Sequence, residues 1–174
     1  MSFTTSSVLG VDLNNASTTA LFALNQKVFG DGNSEWHYVI ATAALTTGQA
    51  VTILSAGTAI LTEDISCLTA AGPAGTTGML DIGFAQFDVA AGSYAFVCKG
   101  GEQVYVLCSG SCIPGTALGW ARTGKMVPQV DAAVGATAAG VFVTNTVAAT
   151  SISAVATALV KFPRKLALSN IGVM

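Results

Sequence analysis

The chain has 174 residues and is charge-poor: 9% charged and 52% hydrophobic, with seven Lys and Arg against nine Asp and Glu and a mean hydropathy of +0.64. A soluble domain averages about 25% charged residues, so the chain either belongs in a membrane or has much of its surface covered by other protein. With a formal net charge of −2 and no basic cluster to displace counterions from phosphates, nucleic acid is not an expected partner.

Residues 1–19, MSFTTSSVLGVDLNNASTT, are Ser/Thr/Asn-rich with Val8, Leu9, Val11 and Leu13 as isolated apolar anchors. They lack a basic stretch followed by an apolar block, so no secretion leader is expected. Too few apolar groups are present to offset ordering entropy of roughly 1–2 kcal/mol per residue, and the segment is predicted as an extended arm that docks on a neighbour. From residue 20 the period is two nearly throughout. ALFALNQKVF and EWHYVIAT flank the turn GDGNS; GQAVTIL and TAILT flank Ser55-Ala56-Gly57; LDIGFAQFDV follows. Short strands separated by Gly-rich turns predict a single antiparallel β-barrel or sandwich over 20–162, with an arm at 1–19 and a tail at 163–174.

GSYAFVCKGGEQVYVLCSG, residues 92–110, is predicted as a hairpin turning at Gly100-Gly101, where glycine accepts the positive φ of a tight turn. In that register Tyr94, Phe96, Cys98, Tyr105 and Leu107 share one face, while Ala95, Val97, Val104, Val106 and Cys108 share the other. Both faces are apolar, so both must be covered, one by the core and one by a partner. Tyr94, Phe96 and Tyr105 join Val8, Leu9, Val11 and Leu13 as candidate interface residues. Cys98 and Cys108 would lie about 17 Å apart, beyond the roughly 7 Å reach of a disulfide. All four cysteines (Cys67, Cys98, Cys108, Cys112) are expected as free thiols.

TALGWAR and KMVPQ form a further hairpin around Thr123-Gly124, and AGVFVTNTV and SISAVATALVKF complete the strands. Residues 132–160 carry no charge, but Gly135, Gly140 and Asn145 interrupt them and their alternation is that of strands, which argues against a membrane helix.

No motif reaches catalytic grade. Gly119-Trp-Ala-Arg-Thr-Gly124-Lys125-Met126 approaches a phosphate-binding loop, yet Met126 replaces the magnesium-binding hydroxyl and Pro128 blocks the required helix. Cys108-Ser-Gly-Ser-Cys112 has neither the spacing of a cysteine-protease signature nor that of a zinc knuckle. His37 is the lone histidine, and Glu63-Asp64 the only adjacent carboxylates. No catalytic residue, metal ligand or cofactor is expected, and the chain is not expected to be an enzyme.

HYVIATAALTTGQAVTILSAGTAILT followed by LDIGFAQFDVAAGSYAFVCKGG resembles the small β-barrel decoration, or cement, proteins of tailed-bacteriophage capsids. The matching residues are Gly48-Gln49-Ala50-Val51, Ile82-Gly83-Phe84-Ala85, Ala90-Ala91-Gly92 and Val97 with Gly100-Gly101, within about residues 36–107. The resemblance implies a non-catalytic virion protein assembled in the host cytoplasm. It would bind the major capsid protein on the capsid exterior as a homotrimer, with neither nucleic acid nor membrane as partner. Two other classes compete. One is a carbohydrate- or receptor-binding β-module of a tail or surface fibre, for which exposed Trp36, Trp120 or Tyr94 would form the platform. The other is an enzyme with a polar pocket around His37.

Overall fold

The computed structural model describes residues 11–54, 56–61, 80–108, 113–115, 117–120, 126–128, 137–144 and 154–165. Its strands are β1 (Lys27–Gly30), β2 (Ser34–Ala41), β3 (Ala50–Ile53), β4 (Thr58–Leu61), β5 (Leu80–Phe84), β6 (Tyr94–Cys108), β7 (Ala117–Trp120), β8 (Met126–Pro128), β9 (Thr137–Val143) and β10 (Ala154–Lys165). The expected all-β class holds, and every described element is a strand. β1 and β2 pair antiparallel across the turn at 31–33, as do β3 and β4 across Gly57.

Closure comes from pairings distant in sequence. β2 pairs parallel with β4, β4 with β3, β3 with β5, β5 with β6 through Phe84 and Cys98, and β6 with β2. The result is a closed five-strand barrel with β1 added on β2. A second circuit runs from β6 through β10, β9, β7 and β8 back to β6.

Because side chains alternate along a strand, each barrel strand sends odd-numbered residues one way and even-numbered residues the other. Val39, Ala41, Val51, Ile53, Ala59, Ala85, Ala95 and Val97 form one buried cluster, the barrel interior. Trp36, Tyr38, Ala50, Ile82, Phe84, Phe96 and Cys98 form another on the outside. Leu13, Val104, Val106, Cys108, Leu118, Ala158 and Val160 cover that outer layer. A Cβ on Gly83 would stand 2.9 Å from Val97 Cγ2 and 3.2 Å from Ile53 Cδ1, so the interior has no room for even a methyl group at that level.

Three expectations are corrected. First, residues 94–108 do not turn back at Gly100-Gly101; they form one strand of 15 residues. Glu35 lies opposite Gly100, and Val160 opposite Gly101, with a register shift on each side. Gly-Gly here absorbs two bulges and lets the strand leave one circuit and enter the other. Even-numbered residues therefore keep one face throughout, which puts Tyr105 opposite to Tyr94 and Phe96. Cys98 and Cys108 are buried and not joined by a disulfide, separated by ten residues of extended chain, about 33 Å.

Second, the described part of the arm belongs to the fold. Leu13 is 2% exposed in the outer cluster and Val11 packs on it; Ser17 exchanges backbone hydrogen bonds of 2.9 and 2.8 Å with Tyr94. Val8 and Leu9 lie outside the described residues. Third, residues 163–165, expected in the tail, belong to β10, with Arg164 opposite Asp81. Pro163, lacking a donor, falls in the register shift between Val160 and Arg164.

Within the charge-free 132–160 stretch the described elements are the strands β9 and β10. No helix among the described residues is long and apolar enough to cross a membrane. Gly119 and Trp120 lie on β7, antiparallel to β8 with Trp120 opposite Met126, a frame unlike the strand-to-helix turn of a phosphate loop. Cys67, Cys112, Glu63-Asp64 and the Thr123-Gly124 turn lie outside the described residues.

Candidate functional site

Three features stand out: a charged barrel mouth, a neutral cleft, and an apolar edge. At one mouth the interior positions switch from aliphatic to polar. His37, 3% exposed, meets Glu35 Oε1 through Nε2 at 2.8 Å, and Lys27 Nζ stands 3.6 Å from the same oxygen. Lys99 Nζ pairs with Asp81 Oδ1 at 3.1 Å. Burial lowers the His37 pKa and outweighs the hydrogen bond to Glu35 that favours the cation. The ring is therefore neutral at pH 7 and donates its Nε2–H to the carboxylate. Burial alone would raise Glu35, but the His37 hydrogen bond, with Lys99, His37 and Lys27, holds its carboxyl below the usual value. This arrangement plugs the barrel, and His37 is sealed within it.

The cleft, about 200 Å³, opens beside the Gly101 bulge. Its most buried lining side chains are Ser34, Trp36, Cys98 and Val104; Gln86, Phe87 and Tyr105 are half-buried, and Asn14 and Gln103 exposed. It exists because β5 and β6 part after Phe84 and Cys98. Gln86 fills part of the gap as a strand would. Its Oε1 accepts from the Tyr105 backbone N–H at 2.9 Å, and its Nε2 donates to the carbonyls of Tyr105 and Phe84 at 3.2 and 3.3 Å. Ser34 Oγ accepts from Trp36 Nε1 at 3.0 Å. Cys98 donates its thiol to the Gly100 carbonyl at 3.3 Å, and burial pushes that thiol up to about 12, which leaves it un-ionised and a weak nucleophile.

The apolar edge comes from residues 20–29, where a strand was expected. β1 starts only at Lys27, because Asn25 adopts a positive φ of 64° and breaks the extended run. Phe22 turns inward, its ring 5.2 Å from Tyr38 and 5.4 Å from Phe96. Leu21 and Phe29 remain outside at 63% and 64% exposure. β1 is the terminal strand of the sheet order and, among the described residues, pairs only with β2.

Of the candidate interface residues, Leu13 and Phe96 are buried within the single chain, 2% and 1% exposed, and present no surface to a partner. Tyr94 is half-buried, stacked 6.1 Å from Tyr38. Tyr105 lines the cleft. The aromatic platform envisaged for a glycan module does not form on Trp36, which is 4% exposed; the side chain of Trp120 lies outside the described residues. His37 does not line the cleft. Among the described residues no three His, Cys, Asp or Glu come together as a metal site. Sequence reasoning missed Gln86 and Gln103, for which strand periodicity gives no signal.

No protein-family model and no curated protein matches the sequence. Among solved structures the chain is similar to the N base of the head fibre gp8.5 of bacteriophage phi29, at 10% sequence identity and a TM-score of 0.44. The match covers 74% of this chain and 95% of that one. At that level the likeness fixes neither family nor function.

Proposed function

We propose that the chain is a structural virion protein that attaches to the outside of an assembled phage capsid and stabilises it, without catalysis. The observation that carries this reading is a charge-poor chain that leaves large apolar side chains, Leu21, Phe29 and Ile113, each more than 60% exposed. Such surface is stable in solution when other protein covers it. The cover would be further copies of the chain, as a homotrimer, and the major capsid protein, with neither nucleic acid nor membrane involved. The resemblance of residues 36–107 to cement proteins gives the same answer. Attachment in the host cytoplasm to the expanded lattice alone would stabilise that lattice by mass action.

Light scattering on the purified protein tests the oligomer: a trimer is expected, and a 17.4 kDa monomer at micromolar concentration counts against it. Co-sedimentation with expanded and unexpanded capsids tests attachment. Binding to the expanded form is expected; failure to pellet with either sinks the proposal.

A further inference from the structure

We infer that the cleft beside Gly101 is a binding site for a neutral sugar ring. Chemistry decides the class. Among the described residues no charged side chain lines the cleft, so an anion finds no cation there, a cation no carboxylate, and either would lose its hydration uncompensated. The lining instead combines amides (Asn14, Gln86, Gln103), hydroxyls (Ser34, Tyr105) and aromatic surface from the half-buried Phe87 and Tyr105. Hydroxyls and amides both donate and accept, which suits a polyol, and aromatic faces suit its C–H faces.

Size narrows the choice. At about 200 Å³ the cleft falls below the roughly 300 Å³ at which drug-sized pockets begin, leaving room for one ring and not for an extended chain. Its polar groups divide into fixed and available. The Gln86 amide is committed to the β6 backbone at Tyr105 and the β5 backbone at Phe84, so it sets the shape of the cleft. The Ser34 hydroxyl, 3% exposed, accepts from Trp36 Nε1 and keeps its own hydrogen to donate toward the ligand. Gln103 is exposed at the rim and offers both amide functions.

The test is saturation-transfer NMR on the free protein with methyl glucoside, methyl galactoside and N-acetylglucosamine at millimolar concentration, beside glucuronate and glucosamine. At least one neutral pyranose is expected to bind, with the charged sugars about tenfold weaker. Gln103→Ala is expected to weaken binding roughly three- to tenfold, the equivalent of one hydrogen bond, and its exposed position leaves folding intact. Tyr105→Ala serves as the second variant and removes aromatic surface. Three results each overturn the site: no transfer from any neutral pyranose, equal transfer from the charged sugars, or unchanged affinity in both variants. Capsid attachment plays no part in this measurement, so its failure and that of the virion reading are separable.

Discussion

The two core clusters are built on the same barrel strands, yet one is aliphatic and the other aromatic. Inside are Val39, Val51, Ile53, Ala59, Ala95 and Val97 around Gly83; outside, on alternate residues, are Trp36, Tyr38, Phe84 and Phe96. Strand number accounts for the difference. About eight strands give an interior just wide enough for side chains to fill, so a five-strand circuit admits only small ones. The aromatics must face outward and be covered there by the N-terminal segment and the second circuit. The barrel cannot be stable on its interior alone.

Removing the outer layer should therefore have the largest effect. Phe96, 1% exposed and 4.9 Å from the Tyr38 ring, is expected to cost about 3–5 kcal/mol as Phe96→Ala in urea denaturation. A loss below about 1 kcal/mol would mean that the outer cluster contributes little.

Leu13 tests whether the N-terminal segment is a structural cover. Leu13→Ala is expected to cost about 2–5 kcal/mol by the same measurement. An unchanged midpoint would return the segment to the role of a dispensable arm.

The interior responds to the opposite change. Gly83→Ala adds a methyl group where Val97 and Ile53 leave no space, and overpacking of this kind costs about 1–3 kcal/mol. A neutral or stabilising result would show that the barrel interior is underfilled.

The smallest effect concerns the polar plug. The His37 pKa lies below 6.5 in the folded state, so as pH falls past 6.5 the unfolded chain takes up the proton first and stability declines. Glu35, held below 4.5, adds a further loss of the same sign at lower pH. Urea midpoints at pH 7.5 and 5.5 should differ in the parent and converge in His37→Gln; equal midpoints in the parent would remove His37 from the account.

What was legible in the sequence was local. Alternation from Glu35 to Ala41 and from Ala50 to Ile53, and the turns at 31–33 and around Gly57, specify strands and hairpins because side-chain period and turn chemistry act over a few residues. The absence of a disulfide between Cys98 and Cys108 also followed, although the expected reason, a hairpin placing them on opposite faces, was not the operative one. The charge-poor composition pointed to covered surface without saying which segments lie uncovered.

Tertiary structure alone decided the path at Gly100-Gly101. Two glycines permit a tight turn and permit a bulged strand equally well, and what selects between them is pairing with β2 on one side and β10 on the other. The same holds for Leu13, whose isolated position reads as an anchor for a partner until the aromatic layer it covers is in place. The cleft is the furthest from sequence, since it arises where β5 and β6 diverge and Gln86 fills the missing rung. Each of these depends on contacts between segments distant along the chain, and no local pattern encodes them.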